Sequence, residues 1–124
     1  MATWKRFEDM DLWKKGCRLA CDVYRMTLEG GFERDFALRD QIRRSALSIP
    51  SNVAEGFERD SARVFANSLV IAKGSAGELR TQLYIACRLG YLPTRRMREV
   101  VAQAKEISRM ASGFIAKLRK AERE

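Results

Sequence analysis

The chain has 124 residues, 46% of them apolar and 32% charged, which is the material of one domain with a substantial core. Lys plus Arg number 24 against 16 Asp plus Glu, a net charge of +8, and an excess of that sign favours polyanionic partners. No histidine occurs, which removes the Ser-His-Asp and Cys-His nucleophile pairs, histidine-ligated zinc and the commonest general base at neutral pH.

Apolar residues recur at three-then-four spacing, and no segment alternates as a strand would. Leu12, Gly16, Leu19, Val23 and Met26 predict a first helix from about Asp9 to Leu28, ended by Gly30-Gly31. Leu38, Ile42, Ala46, Ile49, Val53 and Gly56 predict a second. Pro50 lies inside it, where a proline costs ~3 kcal/mol in an isolated helix. The apolar phase is kept across Pro50, so a kinked helix is expected rather than a stop and restart. Phe65, Leu69, Ala72, Ala76, Leu79, Leu83 and Ala86 predict a third helix, about Ser61 to Leu89, closed by Gly90 and Pro93. Met97, Val100, Ala104, Ile107, Ala111, Phe114 and Leu118 predict a fourth, about Thr94 to Ala121, with Thr94 as its cap. The near-heptad period and short connections predict one all-α domain over 1–124. Its architecture is an antiparallel up-down-up-down four-helix bundle, kinked at Pro50.

The pentapeptide Gly-Phe-Glu-Arg-Asp occurs at 31–35 and at 56–60. Each copy falls between two predicted helices, with Gly ending one and Asp35, or Asp60 with Ser61, capping the next. The expectation is one local solution reached twice rather than a duplicated unit.

The N-terminal Met1-Ala-Thr-Trp-Lys-Arg6 has no apolar stretch behind it. The longest charge-free run, Ser45 to Ala54, is far short of the ~20 apolar residues of a membrane span. A soluble, cytoplasmic protein is expected. Cys17, Cys21 and Cys87 read as small buried hydrophobes in a reducing compartment. Cys17 with Cys21 would be only half a zinc site.

The basic excess lies in the second half. Residues 91–124 hold nine basic and four acidic side chains, whereas residues 1–31 hold six and five. At about 100° per residue, Arg98, Lys105, Arg109, Lys120 and Arg123 fall within about 60° of one another, opposite the fourth helix's core stripe. Ala102, Ser112 and Ala116 lie between them, and Glu99, Glu106 and Glu124 form an acidic line alongside. Such a ridge can track a phosphate backbone; the alternative is a solvated charged face. No zinc finger, RNP-type aromatic motif or helix-turn-helix is present, so base-specific reading is not expected.

The third helix carries few charges, and Val64, Ile71, Ile85 and Leu89 widen its apolar arc to about 200°, against the roughly 100° a lone bundle needs. Subunit association explains this; an unusually central helix is the alternative. Lys73-Gly74-Ser75-Ala76-Gly77 imitates a phosphate loop weakly, without the strand or the Gly-Lys-Ser/Thr, and its glycines instead permit close backbone approach.

With these residues in view, the sequence resembles the bacterial intervening-sequence proteins, encoded within inserts in large-subunit ribosomal RNA genes. The resemblance rests on Leu38-Arg-Asp-Gln-Ile-Arg-Arg-Ser-Ala-Leu-Ser-Ile-Pro-Ser-Asn-Val-Ala-Glu-Gly-Phe57 and on Gly74-Ser-Ala-Gly-Glu-Leu-Arg-Thr-Gln-Leu83 with Gly90-Tyr-Leu92. Phe7 to Trp13 agrees more loosely. The loop after the first helix and Arg80 depart from the family pattern. The resemblance implies a ring-shaped homopentamer. It also implies kinship with the accessory protein of diversity-generating retroelements, a basic pentameric bundle that binds nucleic acid and a reverse transcriptase.

The signature residues also have a physical reading. Gln41, Ser48, Asn52, Glu55, Ser75 and Glu78 are polar groups on core-bearing helices, and Gly56 and Gly74 are small ones. Where buried, the polar groups must satisfy one another, so a structural network around Pro50 is expected rather than a catalytic site. Glu55 and Glu78 lack the third ligand of a carboxylate-bundle metal site, and no metal or cofactor is expected. The functional expectation is a non-enzymatic, basic, oligomeric bundle that binds RNA or DNA through backbone phosphates. The competing reading is a protein-interaction scaffold.

Overall fold

Four helices carry the chain, and most of their boundaries have a local chemical cause. The computed structural model describes residues 4–123; Met1 to Thr3 and Glu124, the end of the acidic line, lie outside it. Helix α1 spans Asp11–Met26, α2 Phe36–Glu58, α3 Ala62–Arg88 and α4 Thr94–Arg123. No strand occurs among the described residues.

Helix α1 starts two residues later than the spacing predicts. A 3-10 turn at Phe7–Asp9 precedes it, and Met10, extended in its backbone, is fully buried. It also ends earlier, at Met26 rather than at the glycines. The buried Thr27 hydroxyl donates to the Val23 carbonyl oxygen at 2.8 Å, beside the Thr27 N–H that donates to the same oxygen at 3.0 Å. Arg43 Nε then donates to Thr27 Oγ1 at 2.8 Å, and the Arg43 guanidinium sits 4.7 Å from the Tyr24 ring centroid. A cation thus holds the negative end of the α1 dipole. Arg43→Ala is expected to destabilise the protein by about 1–2 kcal/mol, read as a lowered thermal midpoint.

The two pentapeptide copies do different work. At the first, Gly30, the residue just ahead of the copy, takes φ +69 and opens a 3-10 turn over Gly30–Glu33, which places Phe32 in the core. Asp35 then caps α2, accepting from the Leu38 N–H at 3.1 Å through Oδ1 and from the Tyr91 hydroxyl at 3.0 Å through Oδ2. In the second, Gly56 ends nothing, because α2 runs on to Glu58. Asp60 makes the turn at φ 54, and Ser61 caps α3 by accepting from the Val64 N–H at 3.3 Å. Gly56 is needed for closeness instead. A Cβ there would lie 2.6 Å from Ser68 Cβ and 2.9 Å from Phe65 Cδ1. Gly56→Ala should therefore overpack the α2/α3 contact and cost about 1–3 kcal/mol, visible in a thermal melt.

Helix α3 closes on a Schellman motif. Gly90 takes φ +80, its N–H donates to the Cys87 carbonyl at 3.0 Å, and the Tyr91 N–H donates to the Ala86 carbonyl at 2.9 Å. Thr94 lies inside α4 rather than capping it; the Pro93 carbonyl accepts the first bond, from Met97 N–H at 2.9 Å.

Pro50 stands inside one continuous helix, so α2 does not stop and restart there. Its ring is buried against α1 at Gly16, where an added Cβ would meet Pro50 Cβ and Ile49 Cγ2 at 3.3 Å. The missing N–H is tolerated because the ring fills the closest approach of α1 to α2.

Each helix packs against its neighbours in sequence, and α4 returns to α1. With short connections this is the four-helix bundle the period predicts. The predicted stripes form the core, with Leu38, Met97 and Phe114 only half-buried at its margin.

Candidate functional site

The five cations of the α4 ridge, Arg98, Lys105, Arg109, Lys120 and Arg123, are all exposed. Among the described residues none of them has an ion-pair partner. The core stripe of α4 (Val100, Ala104, Ile107, Ala111, Leu118) faces the other way, which is why a single amphipathic helix presents them together. Sequence counting missed a second row. Lys14 and Arg18 are exposed on α1, and Arg18 lines a groove with Gln103 and Glu106 of α4. Residues 1–31 are nearly neutral in total, and on α1 Asp11 and Asp22 stand seven and four residues from Arg18, on the same face of the helix.

Between the two rows, Lys15 donates to Glu106 Oε1 across α1 and α4, and Gln103 Nε2 donates to Asp22 Oδ2 at 3.2 Å. These contacts tie up part of the acidic line. The Lys15 hydrogen bond, then the Lys15 charge, hold the Glu106 carboxyl below its usual value of 4.5, and Arg109 adds a smaller pull the same way. The folded protein therefore binds this proton less readily than the unfolded chain. The stabilisation is complete above the usual glutamate range and is lost as pH falls through the lowered folded value. In thermal melts over a pH series, Glu106→Gln should remove this part of the acid-side loss.

The apolar arc of α3 is bare. Ile71, Ile85 and Leu89 are 55%, 44% and 54% exposed, and Leu47, Val70 and Tyr84, which the arc did not include, are exposed as well. Val64 departs from the expectation, being half-buried in the subunit. Gly74 and Gly77 lie in the same helix, and a Cβ at either would meet nothing within 4 Å. Each glycine costs the helix ~1 kcal/mol relative to alanine, and nothing inside the subunit requires it.

The signature residues divide. Ser48 and Ser75 share a hydrogen bond at 2.8 Å between α2 and α3, and Asn52 Nδ2 donates to Ser48 O at 2.7 Å and to Ser48 Oγ at 2.9 Å. That is part of the network expected around Pro50, with Ser48 and Asn52 two residues either side of it. Gln41, Glu55 and Glu78 are exposed and outside it; Glu55 instead faces Arg59 at 3.6 Å. No cluster of three potential metal ligands occurs among the described residues. The cysteines are less buried than expected. Cys21 is exposed, while Cys17 and Cys87 are half-buried. Burial first, then the nearby Cys21, push the Cys17 thiol up, so it is a poor thiolate ligand.

Neither row of cations could have been joined to a third feature from spacing alone. Trp4, ahead of α1, stacks on Phe114 of α4 with centroids 5.3 Å apart. A groove of about 540 Å³ lies there, with Arg109 and Lys117 in its lining. No helix is long and apolar enough to cross a membrane among the described residues.

These features define the class: a basic, all-α four-helix bundle with an uncompensated cationic ridge and a bare aliphatic flank. The chain belongs to the 23S rRNA-intervening sequence protein family, whose model matches residues 8–113. It is similar, at 24% identity and a TM-score of 0.79, to a crystal structure from Bacteroides thetaiotaomicron VPI-5482. That structure is described as a protein of unknown function from the S23 ribosomal protein family; the match covers 85% of this chain and 95% of the other, and it shows the shared fold. None of the curated proteins matches the chain.

Proposed function

We propose that this protein is a non-enzymatic subunit of a homo-oligomer that holds RNA or DNA by its backbone phosphates. The observation that carries the reading is the α4 ridge, five exposed cations without ion-pair partners among the described residues. Unpaired cations in a row release counterions when they meet a polyanion, which gives affinity without reading sequence. Lys14 and Arg18 widen the same surface across α1.

The α3 flank supports the oligomeric half of the proposal. Aliphatic side chains beside two glycines where an added Cβ would meet nothing in the subunit suit a second copy's helix at close range. A homopentamer is the assembly proposed from family resemblance, and light scattering should then give five times 14.2 kDa. A mass of one subunit at all concentrations contradicts it.

The bare apolar flank equally favours a second reading, a protein-interaction scaffold with no nucleic-acid role. Filter-binding titrations with labelled RNA and DNA at low and physiological salt separate the two. Saturable, salt-weakened binding of both is expected. No saturable binding at either salt leaves the scaffold.

A further inference from the structure

The groove at the Trp4 end of the bundle combines aromatic and thioether side chains with two cations. Trp4, Met110 and Phe114 line it, over a floor that includes the buried Met10, Leu12 and Leu118. Arg109 and Lys117 are exposed cations of the same lining. Among the described residues Asp11 is its one carboxylate. Arg109 is also a member of the α4 ridge, so a strand whose phosphates follow the ridge passes this groove.

We propose that the groove captures an unpaired nucleobase of a single-stranded nucleic acid. The inference rests on the phosphate-tracking reading of α4 and adds to it a preference for single strands. Every base offers a flat π-face to an aromatic wall, and base–aromatic stacking tolerates any sequence. Arg109 and Lys117 are placed to hold the phosphates flanking such a base, as charge complementarity requires. Asp11 disfavours a phosphate inside the groove but can accept a hydrogen bond from a base N–H, which every base carries. A duplex keeps its bases paired and stacked, so it meets the ridge alone.

Gly113 makes the test clean. It lines the groove, and a Cβ there would meet nothing within 4 Å. Gly113→Leu therefore fills the groove without altering a charge, and leucine suits a helix better than glycine does. In a Trp13→Phe background Trp4 is the remaining tryptophan and reports directly. Oligo(dT) should quench Trp4 emission saturably, and a DNA duplex of equal length should bind without quenching. Gly113→Leu should abolish the quenching and weaken oligo(dT) binding about tenfold, leaving duplex affinity unchanged. Oligo(dT) binding without quenching, equal quenching by the duplex, or indifference to Gly113→Leu overturns base capture while the ridge stands. Quenching by decanoate but not by oligo(dT) assigns the groove to an alkyl anion and overturns it too. Failure of both nucleic acids to bind contradicts the ridge itself, and base capture with it.

Discussion

Ile71→Glu combined with Ile85→Glu is expected to convert the assembly into folded monomers of 14.2 kDa. In the isolated subunit both side chains are about half exposed, so glutamate there disturbs no core contact. In an assembly built on the α3 flank the same two carboxylates are driven into an apolar contact. Each buried, unpaired charge costs several kcal/mol, and a ring repeats that cost at every interface. Circular dichroism should show unchanged helicity, and light scattering should show the loss of mass. An unaltered mass would mean that α3 is bare for some other reason. Val64 is the wrong site for this test, because its half-buried side chain belongs partly to the subunit's own packing.

Arg98→Glu with Lys105→Glu is expected to weaken RNA and DNA binding about 30- to 100-fold near physiological salt. Two phosphate contacts disappear, and with them the counterions they release, so the log–log salt slope should also become shallower by about 2. The loss should be the same for unrelated sequences, because backbone contacts carry no sequence information. Neither residue has an ion-pair partner among the described residues, so the fold should be indifferent to the change. Affinity anisotropy titrations with two unrelated oligonucleotides measure both effects.

The core was legible because it is periodic. Leu19, Ile49, Leu79 and Ile107 announce themselves by three-and-four spacing, and each is buried. Two sites near helix ends were less legible because tertiary contacts decide them. Thr27 ends α1 with help from Arg43, a residue sixteen positions away. Gly56 looked like a helix stop and is a close-approach site, a distinction that depends on Ser68 and Phe65 of the next helix. The ridge on α4 was visible because one long helix carries all of it. Its extension through Lys14 and Arg18 was hidden by the acidic residues of the same segment, which bring its total charge close to zero. The Trp4 groove was hidden more deeply, since it exists only where the chain's start meets the last turns of α4. The buried half of the signature, Ser48, Asn52 and Ser75, has a structural account in its hydrogen bonds. Exposed Gln41 and Glu78 have none within the subunit.

One titration tests the central claim most directly: the affinity of the intact assembly for a DNA duplex, followed across a series of salt concentrations. Five ridge cations per bound segment predict a straight log–log plot with a slope of about −4.5. A slope near zero, or no saturable binding at the lowest salt, contradicts the claim that α4 holds a phosphate backbone.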